Sequence, residues 1–188
     1  MQSKKRLIEL PVVGRRAFLA VTAGGVLVPT ALSAAATDVS GDIAILNTAL
    51  ALEHQGIAAY ELGAKSGLLK GDVLKTAVLF QSHHKDHRDA LAATVQKLGG
   101  KAVEAKKLDD YAKDLNAASL KSATDVLKLA QQLEMGATNA YMGVIPSLAD
   151  KGLAQVAAKL GADEALHWGV LTTALGQALP QKGFIFGA

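Results

Sequence analysis

Glu53 sits where the sequence should hold no charge. In "LALEHQGIAAYELG" (50–63) and the turn before it, Leu46, Ala49, Leu50, Ile57 and Tyr60 recur at helical spacing, and Glu53 falls within their stripe. Glu134 does the same among Leu127, Ala130, Ala137 and Tyr141. An unpaired carboxylate in an apolar interior is costly and tends to neutralise by taking up a proton. Two of them on separate helices need a common buried partner. That restricts the fold to one in which several helices turn their inner faces toward the same level.

The chain supports such a fold. It is half apolar, rich in Ala and Leu and only 4% aromatic, which favours packed helices over a sheet. Four helical stretches are expected after residue 38: about Asp42–Lys65, Gly71–Leu98, Ala117–Ile145 and Leu153–Leu175. Gly99-Gly100 reads as a helix C-cap and Pro146 as a stop. The links at Ser66–Lys70 and Pro146–Gly152 are short, so each joins antiparallel neighbours. The longer polar piece "KAVEAKKLDDYAKDLNA" can run back along the bundle. The expected architecture is all-α: an antiparallel four-helix bundle made of two hairpins joined by one long crossover. Phe184 and Phe186 of the tail, and Trp168, are expected to pack against it.

The two hairpins resemble each other. Leu52-Glu53 and Tyr60 match Leu133-Glu134 and Tyr141 at a spacing of 81 residues, and His87 and Leu91 match His167 and Leu171 at a spacing of 80. The partners for the buried glutamates follow from this repeat. Neither Arg nor Lys recurs on the matching inner faces of the second helices, but histidine does. His84 and His87 project to one side of their helix, flanked by Phe80 and Leu91; Glu164 and His167 do so between Leu160 and Leu171. Six side chains, Glu53, His84, His87, Glu134, Glu164 and His167, thus meet at one level. Their oxygen and nitrogen donors suit Fe, Mn or Zn, and six of them can serve two ions with carboxylates bridging. Tyr60 and Tyr141 lie two turns beyond the lone glutamates, placed to orient carboxylates. His54 points about 100° away from Glu53 and reads, like His83, as a flanking or surface residue. The absence of cysteine excludes disulfides and thiolate sites.

This constellation resembles the ferritin-like di-metal carboxylate proteins, in which two helices each give one glutamate and the other two each give Glu-x-x-His. The resemblance covers nearly all of residues 40–177. It implies a two-ion centre of Fe or Mn, with Zn as an alternative, and oxidoreductase chemistry on O2, peroxide or Fe(II). The departure is His84, where that superfamily usually has Glu. Three carboxylates leave two divalent ions with a net charge of +1, which stabilises a trivalent pair less. A non-catalytic metal-binding protein (including one with a single Zn), a stress-related structural protein and a helical interaction module therefore stay open.

The first 36 residues have the anatomy of an export signal. "KKRLIELPVVGRR" is basic, "AFLAVTAGGVLVPTAL" is apolar, and Ala34-Ala35-Ala36 fits a cleavage site before Thr37. "GRRAFLA" resembles a twin-arginine signal, with Gly14 and Ala20 departing from the usual pattern. It implies recognition by the twin-arginine export machinery and a periplasmic product, or an inner-membrane anchor if the signal stays uncleaved. The domain itself is then residues 37–188. The signal also accounts for the basic balance. Removing its five Lys/Arg and one Glu from totals of 20 and 17 leaves 15 against 16, a net charge of −1 for residues 37–188. No phosphate-binding stripe is present, so no nucleic-acid partner is expected. Monomer and homo-oligomer both remain open.

Overall fold

The computed structural model describes residues 38–187, and the expected export signal lies outside them. Five α-helices occur in the order α1 (Val39–Lys65), α2 (Gly71–Lys97), α3 (Leu108–Asp114), α4 (Ala123–Val144) and α5 (Lys151–Ala174). Four of them form the expected bundle, and no strand occurs among the described residues.

Local chemistry sets the helix ends. Asp38 accepts from the Gly41 amide and starts α1 a turn before the expected Asp42. Gly99, at φ 83°, closes α2 as expected: its amide donates to the Gln96 carbonyl and that of Gly100 to the Val95 carbonyl. α4 begins later than the expected Ala117. Asn116 is left-handed at φ 49°, residues 117–119 make only a 3-10 turn, and Ser122 caps the Asp125 amide. Asp150 caps α5 through the Gly152 and Leu153 amides.

Each hairpin is antiparallel. Gly63 lies beside Leu69, Gly56 beside His84 and Ile43 beside Gly100, so α1 and α2 run in opposite directions. In the other hairpin, Tyr141 meets Gly161 and Gln131 meets Thr172. The crossover is fastened along α1: Asn47 donates to the Lys101 carbonyl and accepts from the Val103 amide, at 3.0 and 2.8 Å. Its middle winds into α3, which the sequence reading did not separate from the polar connection.

The core is divided along the bundle. Leu46, Leu50, Leu91, Val95, Tyr141 and Leu160 belong to one apolar cluster, and Tyr60, Leu69, Phe80, Val126 and Leu171 to another. The second is looser, enclosing a cavity of about 170 Å³. The polar residues singled out above lie between the two clusters. In the tail, Phe186 meets Trp168 edge to face, with ring centroids 5.3 Å apart, and Trp168 is buried. Phe184 does not pack: its side chain is fully exposed, on a left-handed backbone at φ 58°.

Candidate metal centre

Four helices place one or two polar side chains each at the middle of the bundle. α1 brings Glu53, α2 brings His84 and His87, α4 brings Glu134, and α5 brings Glu164 and His167. All six are buried, the three glutamates and His167 to within 1% of full burial. They fall into two overlapping groups whose ligand atoms lie within 4.8 Å of one another: Glu53, His84, His87 and Glu164; and His84, Glu134, Glu164 and His167.

Glu164 spans the groups with its two oxygens. Oε1 accepts from His87 Nδ1 at 3.0 Å and Oε2 from His167 Nδ1 at 3.1 Å. His84 spans them with its two nitrogens. Nδ1 lies 2.7 Å from Glu53 Oε2 and Nε2 lies 3.2 Å from Glu134 Oε1.

The outlying partners cross between hairpins. The Tyr60 hydroxyl donates to Glu134 at 2.5 Å, and the Tyr141 hydroxyl donates to Glu53. Each tyrosine therefore holds the glutamate of the opposite half. The outer nitrogens follow the same rule. His87 Nε2 on α2 donates to Asp163 Oδ2 on α5 at 3.3 Å, and His167 Nε2 on α5 meets His83 Nδ1 on α2 at 2.9 Å. His83, half-buried, thus flanks the site as the outer support of His167. Asp163 was not singled out from the sequence at all. The 80-residue repeat carries a signal for both, since it aligns His83 with Asp163 just as it aligns His84 with Glu164. Phe80 completes the wall, stacked on His167 with centroids 4.0 Å apart. His54 lies apart, its Nε2 against the Val103 carbonyl at 3.1 Å, where it fastens the crossover.

Electrostatics follow from this crowding. Burial opposes charge on His87, but hydrogen bonds to Glu164 and Glu53 outweigh it and hold its pKa at about 10. His84 is held well above its ordinary value against the same opposition, by Glu134 and Glu53. Burial would raise Glu53, yet hydrogen bonds from His84 and His87 bring it down to about 2. Glu134 is lowered likewise by His167 and His84. Glu164 is raised, with burial the largest cause. His83 is lowered, first by burial and then by the neighbouring His167 and His87.

One atom fails to find a partner. Glu134 Oε2 is buried without a hydrogen bond, alone in this among the described side chains. A buried acceptor left in that condition costs about 1–3 kcal/mol. A cation would satisfy it, and a carboxylate/imidazole donor set fits Fe, Mn or Zn. A groove of about 440 Å³ between α1 and α4, lined by Gln55, Gly56, Gln132 and Gly136, reaches Tyr60, His84 and Glu134 from outside.

A sequence model of the ferritin-like domain matches residues 41–177. The chain belongs to that family. A conserved hypothetical protein from Mycobacterium tuberculosis, known from its crystal structure, is similar to this ferritin-like protein at 23% identity and a TM-score of 0.62; the match covers 72% of this chain and 98% of that one and shows a shared fold. No curated protein matches this ferritin-like chain. A buried Glu/His group within this fold is compatible with metal binding.

Proposed function

We propose that this is an exported ferritin-like metal-binding protein whose central cluster holds two ions, Fe or Mn, and supports oxidoreductase chemistry on O2, peroxide or Fe(II). The observation that carries this reading is the overlap of two buried ligand groups on the shared residues His84 and Glu164. Glu53 and His87 would complete one ion position, and Glu134 and His167 the other. Bound ions would supply Lewis acidity and electron transfer.

The chain's own residues have separate tasks. Tyr60 and Tyr141 fix the carboxylates of Glu134 and Glu53. Asp163 and His83 hold His87 and His167 with Nδ1 inward, the orientation a ligand needs. The α1–α4 groove offers ions and small polar reactants a path. The apolar cavity ends on Tyr60 and Phe80, whose rings touch the ligands, and gives a nonpolar gas a place beside them. Recognition by the twin-arginine machinery through Arg15-Arg16 would export the domain already folded, with ions loaded before transfer to the periplasm.

Elemental analysis of protein purified from its own compartment tests this. Two ions per chain are expected, lost in Glu134→Ala and kept in His54→Ala. An ion-free protein that gains no thermal stability from Fe, Mn or Zn would sink the reading. One observation favours a non-catalytic metal-binding or stress-related structural protein instead. Every buried ligand atom except Glu134 Oε2 already has an internal partner, so the bundle closes by itself. Oxygen uptake and peroxide loss by the loaded protein separate the two: neither would be seen in the non-catalytic case.

A further inference from the structure

We propose that His84 joins the two ion positions through its ring, Nδ1 binding one ion and Nε2 the other, so that the ring acts as a bridging imidazolate. The proposal rests on the two-ion reading above and adds to it the identity of the bridge.

Three observations carry it. The first is orientation. His87 and His167 each turn Nδ1 toward the glutamates and Nε2 outward, to Asp163 and His83. His84 has no outward nitrogen. Its Nδ1 faces Glu53 of one group at 2.7 Å, and its Nε2 faces Glu134 of the other at 3.2 Å. A terminal ligand needs one nitrogen toward the ion and gains from an outer partner on the other. A bridging ring uses both nitrogens inside, one toward each group.

The second observation is the seat. Gly56 lies against the ring of His84, and a Cβ there would stand 3.0 Å from Cε1 and 3.1 Å from Nδ1. The ring is therefore seated close against the backbone of α1, and a side chain at residue 56 would make it give by a few tenths of an ångström.

The third is charge. Glu53, Glu134 and Glu164 leave two divalent ions one positive charge in excess, and an uncompensated buried charge is costly. A ring that has lost both N–H protons carries one negative charge and makes the centre neutral. Starting from the histidinium, two protons pass to solvent, two nitrogen–metal bonds form, and no electron moves. Histidine at this position thus supplies the charge that a fourth carboxylate would have given.

The test uses the full chain, labelled with 15N-histidine and loaded with Zn(II), which is diamagnetic. In the two-zinc protein, His84 should show two metal-bound nitrogens and no ring N–H, while His87 and His167 each keep one N–H. His84→Gln, which has no second ring nitrogen, should weaken binding of the second ion about tenfold or more. Gly56→Ala, which crowds the ring, should reduce the two-nitrogen signature. The wild-type spectrum decides even if both variants fail to fold. A ring N–H retained on His84 in the two-zinc protein overturns the bridge and leaves the two-ion reading standing. One zinc per chain overturns both the bridge and the two-ion reading. No zinc uptake at all overturns metal binding itself.

Discussion

Tyr60 and Tyr141 each reach across the bundle to a carboxylate in the other half, and both are buried. Replacing either by Phe removes a donor from a buried glutamate while keeping the ring's packing. A loss of about 1–3 kcal/mol is expected for each, measured by urea denaturation of ion-free protein. The titratable residues add a dependence on pH with opposite signs on its two sides. Glu53 is lowered from 4.5 to about 2, so its contribution is present above 4.5 and lost as pH falls toward 2. His87 is raised from 6.5 to about 10, so its contribution is present below 6.5 and lost as pH rises toward 10. Ion-free protein should therefore be most stable between about pH 4.5 and 6.5, as thermal midpoints across a pH series would show. Metal affinity should run the other way, rising with pH as the ion displaces protons from the histidines. A titration with Mn(II) at pH 6 and pH 8 checks that sign. At this scale the six inner residues were legible because a charge inside an apolar period breaks a pattern that is otherwise regular. The contact of His83 with His167 was not legible. His83 lies one step from His84 around α2, and only the close approach of α5 brings His167 to it.

At the scale of elements, Asp42 does more than occupy the first turn of α1. Its carboxylate is buried and accepts from the Ala149 and Asp150 amides at 2.8 and 3.0 Å, so it ties the start of one hairpin to the turn of the other. Asp42→Ala would leave two amides without acceptors, at a cost of about 1–3 kcal/mol each if they stay buried. Chemical denaturation would read this as a lower midpoint with an unchanged slope. Asp42→Asn should recover part of the loss, since its amide oxygen can accept one of the two bonds. The helices themselves were readable to within a turn at most ends, because caps and glycines sit where the apolar period fails. The start of α4 was not. Ala117, Ala118 and Ser119 extend a helical composition backwards, but left-handed Asn116 and the Ser122 cap settle the boundary six residues later. Phe184 misled for a related reason: an aromatic side chain in an irregular tail has no period to say which way it faces.

Across the whole molecule, the two hairpins pack more intimately within themselves than against each other. The central cluster is therefore a joint between them, and occupancy should be felt as global stability. At one hundred times its dissociation constant, an ion specific for the folded state adds about 2.7 kcal/mol. Calorimetry of the ion-free protein with added Mn(II) should show a raised unfolding temperature, and Glu134→Ala should show none. The resemblance of the two hairpins bears on this joint. Two identical hairpins meeting face to face would offer two identical ion positions. Here both repeats lie in one chain, and the 80-residue correspondence sets His83 opposite Asp163 and His84 opposite Glu164. The histidine of one group is backed by a carboxylate, and that of the other by another imidazole. An anionic support makes a histidine the stronger donor. If the proposed two ions bind, their positions are therefore inequivalent, and stepwise titration with Mn(II) should fill the one at His87 first.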